Sequence, residues 1–128
     1  MKIAKIAVFL VLMVSAALAS AGDIKPFSQA QFDTLTGEGK PVLLAVHASW
    51  CPTCKAQKPI VETLMGQPAY KNVTTLMIDF DGEKAVLARF KVNMQSTLIA
   101  FNGAKEVGRS VGDTTRAGIE GLLKKTSN

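Results

Sequence analysis

Residues 42–55 read Val-Leu-Leu-Ala-Val-His-Ala-Ser-Trp-Cys-Pro-Thr-Cys-Lys, and this stretch constrains the chain more than any other. The aliphatic run Val42 to Val46 predicts a buried strand. A short polar turn follows, and then the only two cysteines of the chain, separated by Pro52 and Thr53. Proline in that place marks the first turn of a helix, where its missing N–H would be unpaired anyway and its φ is already helical. Cys51 then falls at the N-cap and Cys54 at N3. An N-cap side chain accepts hydrogen bonds from the free N–H groups of N2 or N3. A thiolate there also meets the positive end of the helix dipole. Both effects lower a thiol pKa, and the thiolate is the nucleophile. The three-residue spacing brings the second sulfur close to the first. One cysteine can therefore attack a partner's disulfide and the other can resolve the mixed disulfide.

The N-terminus indicates where this chemistry would operate. Lys2 and Lys5 precede an apolar stretch, Ile6 to Val14, extended by Ala16 to Ala19. Ala17-Leu18-Ala19 and Ala19-Ser20-Ala21 are small-x-small cleavage sites. Residues 1–21 are thus expected to be a secretory signal peptide, cleaved near Ala19 or Ala21, with residues 22–128 forming one domain. An uncleaved anchor is the alternative, although the apolar run is short of the roughly 20 residues of a span. Export, most simply to a periplasm, places the domain in an oxidising compartment. A plain structural disulfide between Cys51 and Cys54 would close a loop too small to restrain much of the unfolded chain. The pair therefore reads as reactive. The net charge of +5 includes Lys2 and Lys5, so the mature chain carries +3. Its basic residues are scattered, and nothing resembles a nucleic-acid patch.

The rest of the chain alternates strands and helices. Ile24 to Phe27 is extended, and Ser28 with Gln31 forms a capping box before a helix that buries Phe32 and Leu35. Gly37 to Pro41 breaks that helix ahead of the Val42 strand. The helix begun at Cys51 should run to Met65 with Pro59 inside it. Asn72 to Phe80 is a further strand, and Glu83 to Phe90 a helix with Val86, Leu87 and Phe90 as its apolar stripe. Thr97 to Phe101 and Lys105 to Ser110 form a hairpin across Asn102-Gly103. A last helix, Thr114 to Lys125, buries Ile119, Leu122 and Leu123. The order β-α-β-α-β-α-β-β-α predicts an α/β fold, a mixed central sheet with helices on both faces.

This ordered set resembles the thioredoxin family. The resemblance rests on Trp50-Cys51-Pro52-Thr53-Cys54-Lys55 after a buried strand, Pro59 beyond it, and Asp79 closing the next strand. Thr97-Leu98, Phe101-Asn102-Gly103 and Val111-Gly112 also match. It implies a thioredoxin fold and thiol–disulfide exchange on protein disulfides, with Cys51 as the exposed attacking sulfur and Cys54 as the resolving one. Trp50 would face substrate, and Pro52, Thr53, His47, Ser96 and Thr97 would bind substrate or tune the pair. No cofactor is expected beyond the redox-active disulfide Cys51–Cys54. The family also implies a membrane thiol–disulfide electron donor for an exported member, and a monomer.

Several positions depart from the family pattern. Ala45 stands where a buried aspartate would assist proton transfer, and Thr75 where a lysine would partner it. Pro52-Thr53 is neither the Gly-Pro of typical thioredoxins nor the Pro-His of strong periplasmic oxidants. His47, the only histidine, replaces an aromatic residue and is either a proton acceptor for Cys54, a cation beside a thiolate, or a hydrogen-bonded strand end. Ser96 stands where the family has a cis-proline. Because a non-proline cis bond lies about 2.5–4 kcal/mol above trans, a trans Gln95–Ser96 bond and a reshaped loop from Met94 to Thr97 are expected, with the Ser96 hydroxyl near the sulfurs. Two other functions use the same residues. One is a metal or iron–sulfur module built on Cys51, Cys54 and His47, which supply at most three of the four ligands of a structural zinc. The other is a peptide-binding domain without turnover.

Overall fold

The computed structural model describes residues 21–127; most of the expected signal peptide, residues 1–20, lies outside them. Five strands and four helices alternate in the expected order: β1 Asp23–Pro26, α1 Gln29–Gly37, β2 Pro41–His47, α2 Pro52–Met65, β3 Thr74–Asp79, α3 Lys84–Arg89, β4 Thr97–Asn102, β5 Lys105–Val111 and α4 Arg116–Lys124. The strands form one sheet in the order β1-β3-β2-β4-β5. β1, β3 and β2 run parallel, and β4 and β5 antiparallel. β2 thus lies at the centre, bonded on both edges, which is why its residues from Val42 to Val46 are buried.

Alternation along β2 divides the core in two. Leu43 and Ala45 face α2 and α4, packing with Val61, Leu64, Leu98, Ile119 and Leu123. Val42, Leu44 and Val46 face α1 and α3, packing with Phe32, Leu87 and Phe90. Phe32 stacks edge-on against Phe90 and Phe101, with centroids 5.0 and 5.1 Å away. The apolar residues assigned to helix stripes from their spacing therefore close both faces of the sheet.

The caps also follow the sequence. Ser28 Oγ accepts the Gln31 N–H at 3.3 Å at the start of α1. Helix α2 continues through Pro59 to Met65. Two local expectations are corrected. β3 starts at Thr74 rather than Asn72, because Pro68–Tyr70 forms a 3-10 turn whose Tyr70 carbonyl accepts the Val73 N–H. The hairpin turn is Gly103-Ala104 rather than Asn102-Gly103, because Asn102 still pairs with Lys105 as the last residue of β4. Gly103 takes a φ of 59°, a conformation glycine adopts without steric penalty.

Candidate active site

Three segments meet at the cysteines: the β2–α2 junction, the loop before β4, and the loop between β5 and α4. Cys51 is the N-cap of α2, Pro52 occupies the first helical position, and Cys51 Sγ accepts the Cys54 N–H at 3.1 Å. Pro52 is exposed, Thr53 half-buried, and neither has a hydrogen bond to the sulfurs. Their part is to start the helix so that its free N–H groups point at Cys51. The two sulfurs are joined in a disulfide, with Cα atoms 5.3 Å apart, within the ordinary range for such a bond.

The expected contrast in exposure between the two cysteines is not observed. Cys51 is 1% exposed and Cys54 7%. The N-cap position turns the Cys51 sulfur inward over the helix end, where Ala48 and Phe80 cover the pair. What distinguishes the cysteines is their electrostatic setting: the Cys51 sulfur is the one that receives a helix N–H.

Ser96 is the third group at the sulfurs. Its Oγ lies 3.2 Å from Cys51 Sγ and 3.0 Å from Cys54 Sγ. The Gln95–Ser96 bond is trans, since no peptide bond among the described residues is cis. Ser96 instead has a φ of 62°, a left-handed conformation that costs a non-glycine residue about 1–2 kcal/mol. Surrounding bonds hold it there. Ser96 N–H donates to Val46 O at 2.8 Å, and Ser96 O accepts from Gly112 N–H at 3.0 Å. Thr97, buried at the start of β4, steadies the same loop by donating its hydroxyl to Met94 O at 2.7 Å. Gly112, with a φ of 74°, lets the chain leave β5 in time to reach Ser96.

Trp50, Met94 and Val111 are each more than half exposed. Trp50 directly precedes Cys51, Met94 lies in the loop before β4, and Val111 is the last residue of β5. Trp50 lies edge-on to Phe80, and its indole N–H donates to Asp81 at 2.8 Å, which fixes the ring beside the pair.

On the sheet face beneath the first turns of α2, a cleft of about 770 Å³ reaches Cys54. Ala45, Val61, Met77 and Leu98 supply its apolar lining, and His47 and Asp79 stand at the strand ends. His47 shares this cleft with Cys54; it is the last residue of β2, and its carbonyl accepts the Phe80 N–H at 2.9 Å, as a hydrogen-bonded strand end does. Thr75 is fully buried with an unpaired hydroxyl. Among the described residues, no three His, Cys, Asp or Glu side chains group to hold a metal ion, and no helix is long and apolar enough to cross a membrane.

Gln57 is the residue that sequence reading missed. It is 4% exposed and donates to the Ser96 and Asp113 carbonyls at 3.0 and 2.9 Å. A signal was present: Cys54, Gln57, Val61 and Leu64 recur at helical spacing, so Gln57 falls on the inward stripe of α2. A glutamine in that stripe has to find partners.

Asp113, at the far end of this link, is titratable. Its carboxylate accepts the Thr115 hydroxyl and the Thr115 N–H at 2.7 and 2.8 Å, and these bonds hold its pKa below the ordinary aspartate value. A lowered folded pKa contributes stability that is complete above the unfolded value, about 3.9, and lost as pH falls through the folded one. Asp113→Asn should therefore flatten the acid limb of stability, read as urea midpoints between about pH 5 and 2.5. An unaltered acid limb would show that these bonds do not favour the charged form.

Comparison with known proteins agrees with this geometry. The family model described as Thioredoxin matches residues 23–125. The chain is 37% identical over 84 residues to a thioredoxin of Chlamydia muridarum, an alignment spanning 66% of this chain and 80% of that protein. It is 33% identical over 120 residues to the chloroplast thioredoxin X of Arabidopsis thaliana, spanning 88% of this chain and 65% of that protein. Among solved structures, Trxlp of Edwardsiella tarda superposes with a TM-score of 0.77 at 39% identity, covering 79% of this chain and 98% of that one. With a parallel-to-antiparallel sheet, a helix opening on Cys-x-x-Cys and these relatives, the chain belongs to the thioredoxin family of thiol–disulfide oxidoreductases.

Proposed function

We propose that this protein is exported and reduces disulfides of other proteins outside the cytoplasm, in a periplasm where the cell has one, with Cys51 as nucleophile and Cys54 as resolving thiol. The observation that carries the assignment is the Cys51 sulfur at the N-cap of α2, accepting the Cys54 N–H. The Cys51 thiolate attacks one sulfur of the client disulfide. A mixed disulfide forms, and the first client sulfur leaves as a thiolate. Cys54, having lost its proton, then attacks Cys51 Sγ. The second client sulfur leaves, the Cys51–Cys54 disulfide closes, and two electrons have passed to the client. The exposed apolar side chains of Trp50, Met94 and Val111 offer the client chain a surface beside the sulfurs.

Apart from Cys51, no titratable side chain among the described residues is hydrogen-bonded to Cys54 Sγ, whose partners are Ser96 Oγ and, at 3.9 Å, Val46 O. The Cys54 proton therefore leaves through Ser96 or into the cleft. Ser96, at the place of the family's cis-proline, supplies a hydroxyl that donates to the thiolate of the reduced pair. Each turnover oxidises the pair, so an external dithiol must restore it. For an exported protein this is a membrane thiol–disulfide carrier, and the protein works as a monomer with no further cofactor. Export rests on Lys2, Lys5, the apolar stretch after them and the small residues before Gly22.

The direction of electron flow is tested by equilibrating the Cys51–Cys54 pair with glutathione. A reductant gives a potential near about −270 mV, and a value near about −120 mV would make the protein a disulfide donor.

A further inference from the structure

The exchange chemistry makes no direct use of Gln57, yet this side chain is buried one turn beyond Cys54 and spends both amide N–H donors on backbone carbonyls of two other segments. One is Ser96 O, in the loop before β4; the other is Asp113 O, in the loop before α4. Ser96 O also accepts the Gly112 N–H, and Ser96 N–H is bonded to Val46 O. The Ser96 backbone is thus tied to β2, to the β5–α4 loop and to α2. Gln57 makes the only one of these ties that comes from a side chain. Ser96 needs such ties, since its φ of 62° is a conformation serine does not hold unaided.

We propose that Gln57 is a positioning residue: by fixing the Ser96 backbone to the helix that carries both cysteines, it aims the Ser96 hydroxyl at the sulfurs and so stabilises the reduced pair. Because Gln57 and Cys54 lie on the same helix, the hydroxyl and its targets share one frame. A thiolate accepts a hydrogen bond more strongly than a disulfide sulfur does. Loss of the aimed donor therefore raises the free energy of the reduced form and favours the disulfide. The charged and titratable groups near this link are Lys25 on β1, His47 at the end of β2, Lys55, Lys58 and Glu62 on α2, Asp79 at the end of β3, Glu83 before α3, and Asp113 beyond β5. Replacing a neutral glutamine by leucine alters none of them, so their fields stay constant in the comparison.

The inference rests on Cys51–Cys54 being a redox pair, and the test separates the two. Wild type, Gln57→Leu, Ser96→Ala and the double variant are equilibrated between reduced and oxidised glutathione, and the fraction of protein disulfide is read by thiol labelling. Two glutathione molecules are oxidised to one glutathione disulfide for each protein disulfide opened. Gln57→Leu is expected to move the equilibrium roughly threefold to tenfold toward the disulfide, tenfold corresponding to about 30 mV. Ser96→Ala should do at least as much, and the double variant no more than Ser96→Ala alone, since Gln57 acts through the serine. A folded Gln57→Leu with the wild-type equilibrium would overturn the proposal. So would effects that multiply in the double variant, which would make Gln57 and Ser96 independent. Should Gln57→Leu fail to fold, the same cycle is read with Gln57→Asn, whose shorter amide cannot reach both carbonyls. A wild-type pair that excess dithiothreitol cannot open would instead end the oxidoreductase reading itself.

Discussion

Cys51→Ser should lower dithiothreitol-driven reduction of insulin by roughly three orders of magnitude or more, to the rate of dithiothreitol alone. A serine hydroxyl at the N-cap still accepts the residue-54 N–H, so helix α2 keeps its cap and the fold should survive. What disappears is the thiolate, and with it the only nucleophile that the helix end stabilises. Cys54→Ser removes the resolving step and should stall after the mixed disulfide forms. Circular dichroism confirms that each variant is folded. A folded Cys51→Ser protein with more than a few per cent of wild-type turnover would reverse the roles, a possibility with physical content because the cleft opens on Cys54 rather than Cys51.

Ala45→Asp should bring the second large change, and its sign depends on pH. Ala45 is 6% exposed among Val61, Met77 and Leu98, a setting that desolvates a carboxylate and raises its pKa. A raised folded pKa means that the folded state binds the proton more tightly than the unfolded chain does. The penalty is therefore absent below the unfolded value of about 3.9, grows as pH rises, and is complete above the folded value. A rise of about two units corresponds to a loss of about 3 kcal/mol at neutral pH. The same carboxylate would give Cys54 a proton acceptor and change the pH profile of exchange. Urea midpoints for wild type and variant should converge near about pH 4 and separate by pH 7. A constant gap across that range would mean that the carboxylate does not titrate in an apolar site.

The sequence carries much of this because its strongest signals are local. Pro52 between two cysteines, after five aliphatic residues, specifies a helix start at the end of a buried strand, and Cys51 takes the N-cap as the spacing requires. The Ser96 hydroxyl was also legible, since a residue that cannot favour the cis bond has to reshape its loop toward the sulfurs. What escaped depends on distance along the chain. Gln57 meets carbonyls 39 and 56 residues away, and periodicity alone shows only a polar residue in an apolar stripe. The indole of Trp50 reaches Asp81, 31 residues on, so a side chain adjoining the nucleophile is fixed by a loop with no pattern of its own. The near-equal burial of Cys51 and Cys54 arises from Ala48 and Phe80 closing over both, a packing outcome that motif spacing does not encode. The hairpin slipped by one residue because Asn-Gly marks a turn in general, whereas the pairing of Asn102 with Lys105 sets this one.

The most direct test of the account is to trap the intermediate. Cys54→Ser protein, reduced and then mixed with oxidised insulin, should accumulate a covalent adduct that dithiothreitol releases, and peptide mapping should place the bond on Cys51. The Cys51→Ser, Cys54→Ser double variant should form none. An adduct absent from folded Cys54→Ser protein whose Cys51 is free by thiol labelling would contradict the claim that the N-cap sulfur attacks protein disulfides.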